Sequence, residues 1–182
     1  MSYVSIEIVK EFFILNGFFV YQKDDILLIK NMGKNIPLPD KFVLEKEEIL
    51  AIGNGVIKPV GWHTLKFTPS VIRSSPEIFS FLKPPYIKEI KEFFKNDNFS
   101  KILVIPGLPL KKSLRDESVK LLKENGIDYI IKFSTIISGL IEKINPRHLY
   151  LSPNSELLRI LKIYKFFSSQ PTLPFKKNED KS

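Results

Sequence analysis

The alternation of apolar and polar positions is sharpest between Lys101 and Ile144, KILVIPGLPLKKSLRDESVKLLKENGIDYIIKFSTIISGLIEKI. Residues 101–105 form a short apolar run stopped by Pro106-Gly107, the punctuation of a buried strand. Leu114, Ser118, Leu121 and Leu122 then fall on one helical face, and Ser113 stands at capping-box spacing from Asp116. Asn125-Gly126 supplies a left-handed stop. Residues 127–133 predict a second strand, and Ser134 or Thr135 caps a helix carrying Ile136, Ile137, Leu140, Ile141 and Ile144. Two strands joined by a helix make a crossover in a parallel or mixed sheet. The second half of the chain therefore reads as α/β.

The first half opens with a helix from Ser2 or Ser5 through Leu15, with Ile8, Phe12 and Leu15 inward and Asn16-Gly17 as its end. A strand is expected over 18–22, and the Asp24-Asp25 turn leads into a second, ILLIKN. A loop follows over 31–40. Residues 48–52 and 56–60 flank Gly53-Asn54-Gly55, which predicts a hairpin, and 62–67 alternates enough to continue or pair with that sheet. Ser75-Pro76-Glu77 has the form of a helix start with proline at its first position. A helix over 87–95 points Ile87, Ile90, Phe93 and Phe94 inward. Ser152-Pro153 opens a last helix running to about Phe167, and the polar, lysine-rich stretch 168–182 is expected to be disordered. The organisation expected is one domain over 1–150, a C-terminal helix over 151–167 packed on it, and a polar tail.

Composition narrows the chemistry. The 182 residues contain no cysteine and two histidines, which excludes disulfides, thiolate zinc sites and iron–sulfur clusters. A metal would have to be a hard ion held by carboxylates. The formal charge of +8 and a pI near 9.5 favour a polyanionic partner, most simply nucleic acid. No apolar run approaches the roughly 20 residues needed to span a bilayer. The start MSYVSIEIVKEFF lacks the basic region and cleavage site of a signal peptide, so a cytoplasmic protein without a membrane partner is expected.

A first helix, a three-strand meander, a helix and a further strand resemble the core of the restriction-endonuclease-like superfamily, the PD-(D/E)XK nucleases. The closing pattern IDYIIKFSTIISGLIEKI looks like its Mrr-type branch. The match is one of topology and spacing over about Ser2 to Ile144. It implies a three-layer α/β core, a mixed central sheet flanked by helices. It also implies an acid at the start of the second strand and a Glu-x-Lys or Asp-x-Lys on the third. The carboxylates would hold Mg²⁺ or Mn²⁺, and the lysine would position the attacking water. Asp24 or Asp25 matches the first acid in placement, and Glu48 lies near the second, with Leu50 where the lysine belongs. Lys58 and Lys66 are the nearest basic residues on later strands, and neither has a carboxylate two residues before it.

Three functions follow. The leading one is a nucleic-acid-binding protein on a degenerate nuclease fold, needing no cofactor. The second is an active metal-dependent nuclease using Asp25, Glu48 and a displaced Lys58 or Lys66, with Asp25 and Glu48 as metal ligands. The third is an interaction subunit docking a partner or a second copy through the last helix, whose stripe is Leu157, Ile160, Leu161 and Tyr164. Candidate phosphate contacts are Lys111, Lys112 and Arg115, between a strand and a helix N-terminus, where free amides and the helix dipole favour anions. Arg159, Lys162 and Lys165 line a second basic face on the last helix. The region around 106–113 has neither the Gly-x-Gly-x-x-Gly nor the Gly-Lys-Ser/Thr signature of a nucleotide site. Trp62 is expected to be mostly buried, with base stacking as the functional alternative.

Overall fold

The computed structural model describes residues 3–32 and 40–167. The tail expected at 168–182 and most of the loop expected at 31–40 lie outside the described residues. The chain divides into two compact units, residues 1–143 and 144–182.

The first unit is built on a six-stranded mixed sheet in the order β1-β2-β4-β5-β6-β3. β2 (Ile26–Asn31) pairs antiparallel with β1 (Phe18–Lys23) on one side and with β4 (Asn54–Pro59) on the other. β4, β5 (Ser100–Ile105), β6 (Tyr129–Lys132) and β3 (Val43–Leu44) are parallel. The crossover expected between the 101–105 strand and the next is present, carried by α5 (Lys112–Glu124). The helix α1 (Tyr3–Leu15) ends at Gly17, whose φ of +85° is the left-handed stop that Asn16-Gly17 predicts. Gly126, at φ +84°, does the same for α5.

Strand alternation sorts the core onto two faces. Ile26, Leu28, Val56, Val60, Leu103 and Ile130 share one buried cluster. That cluster is covered by α3 (Pro69–Ser74), a 3₁₀ helix (Pro76–Leu82), α4 (Tyr86–Phe94) and α5. On the other face α1 packs against β1, β2 and β4, and α6 (Phe133–Lys143) packs against α1 and β6. Gly139 of α6 is what lets the two helices meet: a Cβ there would lie 2.5 Å from Phe12 Cε2. No helix among the described residues is long and apolar enough to cross a membrane.

Several local expectations change. The arm expected at 48–52 is not a strand, because the short helix α2 (Lys46–Ile49) occupies it and the sheet resumes only at Asn54. There is accordingly no hairpin at Gly53-Asn54-Gly55. β4 pairs instead with β2, through Leu27↔Ile57 and Leu28↔Val56. Residues 62–67 form a turn and extended connection rather than a strand. The backbone of Phe67 bonds outward, donating to the Gly107 carbonyl at 2.9 Å. The inward face of α1 is Ile6, Val9, Phe12 and Phe13, rotated from the Ile8–Phe12–Leu15 stripe. The helix α5 starts at Lys112 with Lys111 as its N-cap, so Ser113 lies inside the first turn and the expected capping box is not used. The next helix starts at Phe133, ahead of Ser134 and Thr135. The last helix, α7 (Pro153–Ile163), stops short of Phe167.

Gly139→Ala is expected to destabilise the first unit by about 1–3 kcal/mol, the usual cost of overpacking a filled contact. A lower urea midpoint with an unchanged denaturant slope is the signature to look for.

Candidate functional site

Asp24 and Asp25, equivalent in the sequence, are separated by the β1–β2 turn. Asp24 takes the left-handed position, φ +50°, which aspartate tolerates better than most residues. Asp25 follows with its carboxylate against the ammonium of Lys58 on β4. Lys58 is 4% exposed. Its strand is central, and its face is the one that buries Val56 and Val60. Its whole side chain is only 5% exposed, so the charged end is buried with the stem. An ammonium so placed is costly without a counter-charge. Asp25 supplies it, and with a side chain 47% exposed it keeps the pair open to water on one side.

Glu48 is not brought to this pair. It sits on α2, where its Oε2 accepts from the Glu45 backbone N–H at 2.9 Å and its Oε1 lies 2.8 Å from Lys41 Nζ. These two contacts, the backbone one first, hold its pKa below the usual carboxylate value. The chain just beyond is tied to the far end of β2: Asn31 donates to the Leu50 and Ile52 carbonyls, each at 3.0 Å. Asp25 lies at the opposite end of the same strand. Among the described residues no group of three or more His, Asp or Glu side chains is placed to hold a metal. Val56, fully buried, stands two residues before Lys58, where a Glu-x-Lys motif would have its acid. One carboxylate already committed to an ammonium does not fit a divalent ion.

The strand ends assemble a different feature. Because β4, β5 and β6 are parallel and β2 is antiparallel to β4, Asp25, Lys58 and the chain leaving β5 share one edge. The Val60 N–H bonds the Val104 carbonyl at 2.8 Å, and Phe67 is clamped to Gly107, so two connecting segments are held side by side. Lys66 lies over Gly107, its Nζ 3.2 Å from where a Cβ would be. Lys111, Lys112 and Arg115 begin α5 next to it. All four cations are exposed. None makes an ion pair among the described residues, whereas Lys23, Lys41, Lys101 and Lys132 elsewhere in the unit do. The first turn of α5 has no acidic residue, so three cations crowd the positive end of a helix dipole. That arrangement opposes helix stability and favours an anion.

The second unit, taken alone, uses its basic residues internally. Arg159 grips Glu156, with Nε at 2.8 Å and Nη2 at 2.5 Å, and its Nη1 reaches the Pro146 carbonyl at 3.2 Å. That hydrogen bond to Arg159 is the first cause of the lowered Glu156 pKa. Lys162 donates to the Ile144 carbonyl at 2.7 Å. Lys165, at φ +59° just past α7, is exposed and in no ion pair among the described residues. Arg159 and Lys162 are therefore committed to folding residues 144–163.

Trp62 stacks on Phe67, with ring centroids 6.0 Å apart, and leans on the core cluster. His63 meets Ser5 Oγ at 2.9 Å through Nε2 and packs on Phe133, which pins the 62–67 connection to α1 and α6. Lys66 appeared in the sequence only as a displaced catalytic lysine. Its place beside Gly107 follows from the Phe67–Gly107 hydrogen bond between two connecting segments, which no local pattern encodes.

Lys58→Met is expected to change stability by less than about 1 kcal/mol or to raise it, since an apolar isostere removes the buried charge. Asp25→Ala strands that charge and should cost more, about 1–3 kcal/mol, below the fully buried case because water reaches the pair. Equal losses in urea denaturation would contradict this account of the pair. Glu48, with its pKa lowered in the folded state, contributes stability that is complete above the ordinary value of 4.5 and is lost as the pH falls through the depressed one. Glu48→Gln should therefore flatten the acid limb of a stability–pH curve there and leave its neutral limb parallel to that of the unaltered protein.

No protein-family model, curated protein or solved structure matches this chain significantly, so the reading of the site rests on its own residues.

Proposed function

We propose that this protein binds nucleic acid along the edge formed by the C-terminal ends of β4 and β5, without hydrolysing it. The observation that carries the reading is the set Lys66, Lys111, Lys112 and Arg115: exposed cations outside every ion pair among the described residues, three of them at a helix N-terminus. Phosphate oxygens satisfy both the cations and the free amides of that helix end. The excess of 28 Lys and Arg over 20 Asp and Glu supports the same partner.

The scaffold is of restriction-endonuclease-like type in this reading. What supports it is the order α1, then the meander β1-β2-β4, then helices, then β5 parallel to β4. The Asp25–Lys58 contact occupies the position that the acid and lysine of that superfamily take, and Val56 replaces the second acid. The pair acts as a structural remnant that closes the edge with a neutral unit. Metal-dependent cutting would establish a nuclease reading in its place.

The test is fluorescence anisotropy of a labelled duplex and a labelled single strand across a salt series, with and without Mn²⁺, with products resolved on a gel. Binding should weaken steeply with salt while the substrate stays intact. The double substitution Lys111→Ala with Lys112→Ala should lower the logarithmic salt slope by about 1.8 on duplex if both lysines meet phosphate. Asp25→Ala should bind as well as the unaltered protein or better, because it removes a negative charge from the edge. An unchanged slope in the double variant would move the interface elsewhere, and cutting abolished by Asp25→Ala would replace binding with catalysis.

A further inference from the structure

A second feature opens on the same end of the sheet. β1 and β2 pair as Tyr21↔Leu28 and Lys23↔Ile26, which puts all four side chains on the face covered by α4. α4 returns Tyr86, Glu89 and Phe93 at helical spacing. Between them lies a cleft of about 270 Å³. Tyr21 stacks on Phe93 with centroids 5.5 Å apart and planes 23° from parallel. Its side chain is nonetheless about half exposed, at 48%. Two cations border these rings: Lys23 Nζ is 6.0 Å from the Tyr86 centroid and Lys30 Nζ is 4.8 Å from that of Phe93. Lys23 is also ion-paired with Glu89 at the mouth.

We propose that this cleft is a base-stacking subsite for an unpaired nucleobase of a single strand, which rests on the nucleic-acid reading above. The volume lies just below the roughly 300–1,000 Å³ of small-ligand cavities, so it suits one planar ring system and not an extended cofactor. Tyr21 is exposed and Tyr86 and Phe93 are half-buried, so ring surface remains to stack against. Lys30 meets a phosphate flanking the base, and the Glu89 carboxylate, held by Lys23, is an acceptor for a ring or exocyclic N–H. A purely apolar occupant would have no use for that charged rim. Lys23, Ile26 and Lys58 stand in one row across β1, β2 and β4, and Lys58 pairs in register with Leu103 of β5. At about 4.8 Å per strand the cleft lies roughly 14 Å from β5, whose end carries the basic loop. One strand can span both. A base locked in a duplex cannot enter, so the subsite favours single strands.

The experiment compares a short labelled oligothymidylate, an abasic strand of equal length and a duplex, by anisotropy at one salt concentration. Tyr21→Ala should weaken oligothymidylate binding about 5- to 150-fold, the range for loss of one stacked base. Duplex and abasic-strand binding should change less than about twofold. Tyr21→Trp should restore the affinity, while Tyr21→Leu, which keeps apolar volume over Phe93 and guards against misfolding, should not. Thermal melts establish that each variant is folded. If the unaltered protein binds no nucleic acid, the interface and the subsite both fall. If it binds with a steep salt slope but Tyr21→Ala and Tyr21→Leu lose nothing specific to oligothymidylate, the subsite alone is overturned.

Discussion

The contact with Asp25 is what lets the charge of Lys58 sit buried near the end of a central strand. β4 is the hinge of the sheet, antiparallel to β2 on one side and parallel to β5 on the other, and every residue of β4 after Asn54 is buried. A charge at such a position is tolerated only with a partner at hand. The β1–β2 turn is built to provide one, with Asp24 taking the left-handed bend so that Asp25 faces the lysine. The pair therefore ties the β1–β2 turn to β4. It also neutralises the one cation of that edge that is packed inside, leaving the positive field to the exposed residues around it.

That division explains how one edge is both stable and charged. Lys66, Lys111, Lys112 and Arg115 project from connections clamped by the Val60–Val104 and Phe67–Gly107 hydrogen bonds. They are held in place by backbone contacts and not by carboxylates. Charges placed at cost on a rigid frame are preorganised for an opposite charge from outside. The aromatic cleft under α4 adds a planar-ring surface with a charged rim to the same end of the sheet, the second component of the single-strand binding proposed above.

Much of the architecture was legible from local pattern. The 101–105 strand, the α5 crossover and the stops at Asn16-Gly17 and Asn125-Gly126 depend on short-range periodicity and on glycine's access to positive φ. The meander was anticipated in outline, but its third strand was placed too early. Residues 48–52, EILAI, have the apolar content of a strand, yet the backbone turns back on itself there, with the Ile49, Ala51 and Ile52 N–H groups donating to the Glu45, Glu48 and Ile49 carbonyls. The two-residue β3 that precedes it is stabilised only by its parallel neighbour β6, a pairing some 85 residues away in sequence.

The amino-acid sequence by itself determined the α/β class, the mixed sheet with flanking helices, the exclusion of thiolate and histidine-rich metal chemistry, and the positive charge. These are properties of composition and of periods a few residues long. Tertiary structure decided which of two adjacent aspartates meets Lys58, that Glu48 serves a helix end instead of a site, and that Arg159 and Lys162 are spent inside their own unit. It also decided that Lys66, Lys111, Lys112 and Arg115 share an edge, and that Tyr21 faces Phe93. Each of these outcomes joins residues distant in sequence, and such contacts are set by strand register and helix placement, which no local pattern specifies.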